Sequence, residues 1–302
     1  MSVFLRSAPP TLLIVAIGVF VGVSYTLSKV AIQANIGPLT ALFWQLLVAT
    51  LLLFVLGFLS GQRLQVTRHH LIYYIGSGLL GISLPALVAY TVLEHISTGL
   101  YSVLITLSPL FTFVITASVE RKMLPIYRLW GIIIGLVGIS FATLGGIGKM
   151  DSQPIWIVLA ILGPLLLAMG NVFRSRSYPQ SGEPIMIAAG TLLSQLILCL
   201  PFVVASGMQA NFVSPTPYEL TPVLGVGLIT AISYVLTFEV QRRTDGVTFA
   251  QVGYFATLSG IGMGAVAFGE PIGLALFAAL IILFLGLAIS NGQIKLSRIK
   301  AL

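Results

Sequence analysis

Long apolar runs alternate along this chain with short breaks of polar, glycine and proline residues. Ten runs stand out, over residues 11–34, 38–60, 70–93, 97–119, 126–146, 155–176, 184–206, 221–241, 247–268 and 272–294. Each approaches or exceeds the roughly 20 apolar residues that carry a helix across a bilayer. The breaks hold turn-forming sequences: Asn35-Ile36-Gly37-Pro38, Ser60-Gly61-Gln62-Arg63, Gly145 to Pro154, Tyr178 to Pro184, and Ser214-Pro215-Thr216-Pro217. A backbone in lipid has to satisfy its own hydrogen bonds, so the runs are expected to be helices. The expected fold class is an all-α integral membrane protein with ten transmembrane helices. The first run follows Arg6 and imitates a signal peptide. It is too long for a signal core and lacks a small-residue cleavage pattern, so it reads as a retained first helix.

Charge adds orientation. Every Lys and Arg except Lys29 and Lys149 falls on one side of this ladder: Arg6, Arg63, Arg68, Arg121, Lys122, Arg128, Arg174, Arg176, Arg242, Arg243, Lys295, Arg298 and Lys300. Short loops rich in bases stay cytoplasmic. These loops, and with ten crossings both termini, are expected to be cytoplasmic, in the plasma membrane. The acids divide evenly and carry no orientation: Glu120, Glu183, Glu239 and Asp245 on the basic side, Glu94, Asp151, Glu219 and Glu270 on the other. Composition agrees with lipid burial, at 57% hydrophobic and 8% charged residues, against about 25% charged in soluble chains. The net charge of +7 does not point to nucleic acid, because the bases sit in short loops without a basic helix face or a basic–aromatic array. Cys199 is the single cysteine and makes no internal disulfide.

The two halves of the chain look related. Tyr101-Ser-Val-Leu-Ile-Thr-Leu-Ser-Pro109 runs on to Glu120, and Gln251-Val-Gly-Tyr-Phe-Ala-Thr-Leu-Ser259 runs on to Glu270. The shared Thr-Leu-Ser falls in runs four and nine. Five helices per repeat is odd, so the second copy, residues 149–302, is expected upside down relative to the first, residues 1–148. Inverted repeats are a transporter architecture, with the substrate site near the midplane between them.

A series of motifs carries a resemblance across nearly the whole chain. It comprises Gly22-Val-Ser-Tyr-Thr-Leu-Ser-Lys29, then Pro38 and Gln45, Leu93-Glu-His-Ile-Ser-Thr-Gly99, Ser108-Pro109-Leu110 and Glu120. In the second half it comprises Gln251-Val-Gly-Tyr254 and Phe268-Gly-Glu270. In that order they resemble the drug/metabolite transporter superfamily, in its EamA-type branch of ten-helix exporters. The resemblance implies export or exchange of small metabolites, often amino acids, through a central cavity. The chain departs from the family pattern at Gln45, where arginine is common, and at Gly260, where proline is common. The first departure removes a positive charge from helix two and weighs against an anionic substrate.

Candidate substrate-binding residues follow from depth and spacing. Lys29 lies roughly 9 Å inside its helix at 1.5 Å per residue, where a charge faces either a wet cavity, a partner, or the interface by snorkelling. Gln45 lies at similar depth on the next helix, so the two are expected to share a polar pocket. Tyr25 is on the Lys29 face by the i, i+4 spacing, and Ser24 lies about 140° away from it. Trp44, Tyr90 and Tyr101 fall in the outer half and, with Tyr25, are candidates for an aromatic mouth, although a membrane aromatic belt also explains them. Tyr101 and Gln251 are equivalent under the repeat, each nineteen residues before its glutamate. Tyr254 joins the set through the ninth-helix motif.

Other features have plainer readings. Glu239 is expected to pair with Arg242 and Arg243, and Asn171 with Arg174. Glu120 and Glu270 are expected at helix ends, and Pro109 and Gly260 are candidate bending points. Gly76-Ser-Gly78-Leu-Leu-Gly81 lies inside an apolar run without a preceding strand and is no dinucleotide motif. Three Gly-x-x-x-Gly pairs, at 18/22, 131/135 and 260/264, suit helix contacts within the chain or a homodimer. His69-His70 lacks further metal ligands. No cofactor, metal or catalytic group is expected. A secondary transporter of a small molecule, in contact with membrane lipids, is the leading reading. The alternative, a multi-pass enzyme acting on a lipid or other membrane-borne substrate, lacks an acid–base or nucleophile pair at workable depth.

Overall fold

The computed structural model describes residues 8–34, 36–121, 127, 130–131, 133–135, 137–138, 154–206, 217–244, 246–270 and 272–290. All regular elements among them are helical. In chain order they are α1 (Pro10–Gln33), α2 (Pro38–Leu59), α3 (Arg68–Gly78), a π-helical turn (Leu79–Ser83), α4 (Leu84–Val92), α5 (Thr98–Ile105) and α6 (Leu107–Val119). Then follow α7 (Pro154–Ser177), α8 (Pro184–Ser206), α9 (Pro217–Arg243), α10 (Gly246–Ala250), α11 (Val252–Phe268) and α12 (Leu274–Ser290). Eight helical spans are long and apolar enough to cross a membrane. They match the first four and the sixth to ninth of the expected runs. The tenth run is described over α12, with a shorter apolar stretch at Phe277–Gly286. The fifth run, 126–146, is described only at residues 127, 130–131, 133–135 and 137–138. Arg6, Lys122, Arg128, Lys149, Asp151, Asp245, Lys295, Arg298 and Lys300 lie outside the described residues.

Proline sets the helix starts. Pro10, Pro38, Pro154, Pro184 and Pro217 each open a helix. The missing proline N–H has no intrahelical partner in a first turn, and its fixed φ suits entry. Elsewhere a side chain caps the helix: the Ser97 hydroxyl accepts from the Leu100 N–H at 3.1 Å at the start of α5.

Three spans are irregular, each for a local reason. In the third span Pro85 cannot donate to the carbonyl four residues earlier, that of Gly81. The chain answers with the π turn Leu79–Ser83, and the Tyr234 hydroxyl donates to the Gly81 carbonyl at 2.6 Å. The fourth span breaks at Thr106, three residues before Pro109. The ninth span breaks at Gln251, where a turn joins α10 to α11. Gly260 is therefore not a bending point: α11 is continuous through it, and the break lies nine residues earlier.

Gly260 serves close packing instead. A Cβ there would overlap the Ser102 hydroxyl, and a Cβ at Gly22 would lie 2.6 Å from the Gly260 nitrogen. Gly18 meets Phe255 and Ala256 in the same seam. A Cβ on Gly286 of α12 would lie 2.6 Å from both Gly131 and Gly135 backbone atoms, and one on Gly264 would lie 2.5 Å from the Glu270 carboxylate. All three Gly-x-x-x-Gly pairs are thus occupied inside the chain. Large apolar side chains such as Leu51, Val55, Phe58, Leu59 and Phe202 point outward, as lipid contact requires.

Filling the α1–α11 seam is expected to be costly. Gly260→Ala should lower stability by about 1–3 kcal/mol through overpacking. Gly262→Ala should be neutral or stabilising, because nothing lies within 4 Å of a Cβ there. Thermal unfolding of the two purified variants in detergent checks the contrast.

Candidate functional site

A cavity of about 170 Å³ lies between the two halves of the chain, lined by α1, α2, α4, α5, α7, α9 and α11. On α1 the lining stripe is Ile17, Val21, Ser24, Tyr25 and Ser28, the i, i+4, i+7 spacing of one helix face. The Tyr25 and Tyr101 rings meet edge to face, 5.1 Å between centroids. Neither hydroxyl has a hydrogen-bond partner among the described residues. Beside them Gln45 is fully engaged: Nε2 donates to Thr230 at 2.9 Å, and Oε1 accepts from the Tyr90 hydroxyl at 2.9 Å. That network ties α2 to α4 and α9, and satisfies a buried amide that would otherwise be expensive.

Lys29 follows the cavity-lining Ser28 on α1 and lies outside the lining. Lys29 Nζ donates to Glu270 Oε1 at 2.7 Å and lies 4.8 Å over the Phe268 ring. The same carboxylate accepts the backbone N–H groups of Thr98 and Gly99, each at 2.9 Å, at the N-terminus of α5. One side chain thus joins α1, the start of α5 and the end of α11. Gly269 makes the geometry attainable. Its φ of +64° ends α11 in a left-handed turn that folds Glu270 back over Gly264. Burial pushes the Glu270 carboxyl pKa up. The hydrogen bonds from Lys29, Gly99 and Thr98, with the Lys29 charge, outweigh that and hold it below its ordinary value.

At the other end of the cavity, Arg174 of α7 is buried and donates from Nη2 to Asn171 Oδ1 at 2.9 Å. Asn171 in turn reaches the Thr112 hydroxyl at 3.4 Å. Glu239 pairs with both Arg242, at 2.8 Å, and Arg243. Glu120 at the end of α6 meets Arg176 at 3.6 Å. Among the described residues no group of three His, Cys, Asp or Glu is placed to hold a metal ion. His70 contacts the Thr67 hydroxyl and the Ser181 carbonyl instead.

Of the residues expected from sequence to bind substrate, the fold brings Ser24, Tyr25, Gln45, Tyr90 and Tyr101 to one cavity. It puts four elsewhere. Lys29 is turned to Glu270, so it does not share the pocket of Gln45. Trp44 packs edge to face on Phe43, 5.8 Å between centroids. Gln251 precedes α11 at the turn, and Tyr254 meets Phe284 at 5.7 Å. The cavity also holds residues that spacing did not select: Asn171, Arg174, Thr230, Ser233 and Tyr234. For Arg174 a signal existed, a base three residues inside the end of an apolar helix, but the adjacent Asn171 explained it locally.

Comparison with known proteins decides the family. The model of the EamA-like transporter family matches the chain twice, over residues 9–144 and 154–292. The chain belongs to the EamA-like transporter family. It is a multi-pass membrane transporter and not an enzyme. One relative, the uncharacterized transporter YvbV of Bacillus subtilis (strain 168), is 22% identical over 285 residues, covering 93% of this chain and 91% of that one. YcbK, an uncharacterized transporter of the same organism, is 26% identical over 208 residues, covering 66% of this chain and 65% of that one. A solved crystal structure shares the fold with a TM-score of 0.65 at 18% identity, covering 93% of this chain and 96% of that one.

In this transporter the Lys29–Glu270 contact is expected to be an asymmetric lock. Glu270→Ala strands a buried lysine and two N–H groups, and should cost about 3–5 kcal/mol. Lys29→Ala leaves the carboxylate capped by two N–H groups and should cost less. Because the folded pKa of Glu270 is lowered, its contribution is complete above the ordinary glutamate range and is lost as pH falls through the lowered value. Melting curves across acid pH should show that loss in wild type and a weaker pH dependence in Glu270→Gln.

Proposed function

We propose that the chain is a secondary transporter that exports small metabolites, amino acids and related compounds, by alternating access through the central cavity. The observation that carries this reading is the cavity itself. It is built from both halves, lined by aliphatic, aromatic and hydroxyl side chains with one charged group, and flanked at Ser28 by the Lys29–Glu270 pair. In this reading the pair is the gate at the non-cytoplasmic end. Its separation, with that of the Thr98 and Gly99 N–H contacts, opens the cavity to that side.

The architecture that goes with this function is ten crossings in two five-helix repeats of opposite orientation, residues 1–148 and 149–302. Both termini are cytoplasmic and the membrane is the plasma membrane. Two successive family matches support two repeats. The one-sided distribution of bases supports the orientation. Opening then amounts to rocking of bundles about a fixed site.

Reconstituted protein tests the function. Counterflow of radiolabelled amino acids into preloaded proteoliposomes is the expected signature of a carrier, and its absence for every loaded metabolite speaks against the reading. Tyr101→Ala removes a cavity hydroxyl and ring and should lower exchange about tenfold, the scale of one lost hydrogen bond. Lys29→Ala should also lower exchange by releasing the closed state. Both variants are expected to reach the membrane in normal amounts. Normal transport by both would show that the site is elsewhere.

A further inference from the structure

We infer that Arg174 anchors an anionic group, a carboxylate, on the transported molecule. The inference rests on the transporter reading above and narrows its substrate class. It starts from a contrast within one helix turn. Arg176 is exposed and meets Glu120 at 3.6 Å. Arg174, two residues earlier, faces the opposite side, into the cavity, and is 2% exposed. Both are favoured by the C-terminal end of α7, but only Arg174 is enclosed.

Enclosure leaves its charge without a counter-ion. Among the described residues no carboxylate lies within 4 Å of Arg174, and Arg174 is the only charged residue in the cavity lining. Its hydrogen-bond partners are the neutral Asn171 and Tyr234, and its Nε is buried with no partner. Lys29 and Arg242, by comparison, each have a carboxylate within 3 Å. A guanidinium does not shed its proton to escape burial. An unpaired buried charge is costly, and in membrane proteins it faces a pathway or a partner. The remaining N–H groups form a planar fork that suits a carboxylate.

The surroundings are shaped to hold this side chain. The π turn of the third span brings Gly81 against it, and a Cβ at Gly81 would lie 2.6 Å from Nη1. Gly170, one turn before Arg174, packs on the Gly81 backbone, and a Cβ there would lie only 3.1 Å from it. Phe249 covers the guanidinium face, 5.6 Å from ring centroid to Cζ. The rest of the lining mixes aliphatic Ile17, Val21, Ile105 and Leu167 with the rings of Tyr25 and Tyr101 and the hydroxyls of Ser24 and Ser233. The cavity therefore suits a small monocarboxylate with a partly apolar body. The positive charge missing at Gln45 on α2 is supplied from α7, at the opposite end of the cavity.

The test uses the full chain in lipid nanodiscs and a probe set of monocarboxylates graded from butanoate to 3-phenylpropanoate, with the matching amides and amines. Calorimetric titration and thermal shift should show at least one acid binding wild type at least tenfold more tightly than its amide and its amine. Arg174→Gln should abolish that preference by weakening acid binding at least tenfold, and Arg174→Lys should retain part of it. The acid–amide comparison in wild type needs no variant, so misfolding of Arg174→Gln does not blunt it. If no acid binds better than its amide, or if Arg174→Gln keeps the preference, the anchor is refuted. Counterflow of the preferred acid separates the two readings. Arg174-dependent binding without counterflow leaves the anion site standing and removes transport. Equal counterflow of acids and amides in both proteins removes the anchor and leaves transport.

Discussion

Lipid offers no hydrogen bonds, so a polar group inside this bundle is costly unless it finds a partner in the protein. Glu270 shows how much follows from that constraint. Its carboxylate is shared between a lysine on α1 and two backbone N–H groups that open α5. Three segments distant in sequence meet at one side chain because none of these groups has an alternative. Gln45 does the same for α2, α4 and α9, and Tyr234 does it for the carbonyl that Pro85 leaves free. These contacts are few and non-local. They position the walls of the cavity more strictly than the apolar side chains, which repack with little penalty.

Two ends of one cavity are therefore chemically different. Near Glu270, positive and negative charge cancel across 2.7 Å. Near Arg174, positive charge remains open. A molecule entering such a space is oriented by that difference before any fine contact forms. The aromatic pair Tyr25–Tyr101 stands between the two ends, with hydroxyls not committed to other groups. Position, sign of charge and spare hydrogen-bonding capacity together give the cavity a direction.

Much of the bundle was legible because lipid imposes a coarse rule on composition. Runs of about 20 apolar residues and prolines at the breaks locate the described spans to within a few residues. Of the irregular places, the break before Pro109 was legible and the other two were not. Pro85 alone does not announce a π turn, and the tyrosine that meets the Gly81 carbonyl lies 153 residues beyond Gly81. Lys29 could be placed at depth, but its partner lies 241 residues on. Periodicity put Tyr25 on the Lys29 face and Ser24 away from it, whereas the cavity takes Ser24 and Tyr25 and leaves Lys29 to Glu270. Arg174 was masked in the same way: its neighbour Asn171 accounted for it locally, and only the fold reveals that the rest of the guanidinium looks into a cavity.

The glycine seam has a mechanical consequence. Where Gly18 and Gly22 of α1 meet Phe255 to Gly260 of α11, backbone lies almost on backbone. No flexible side chains remain there to absorb sliding. A displacement of one helix is passed directly to the other, so α1 is coupled to a helix from the far half of the chain. The unit that pivots is then set by this inter-half weld rather than by the point where one repeat gives way to the next.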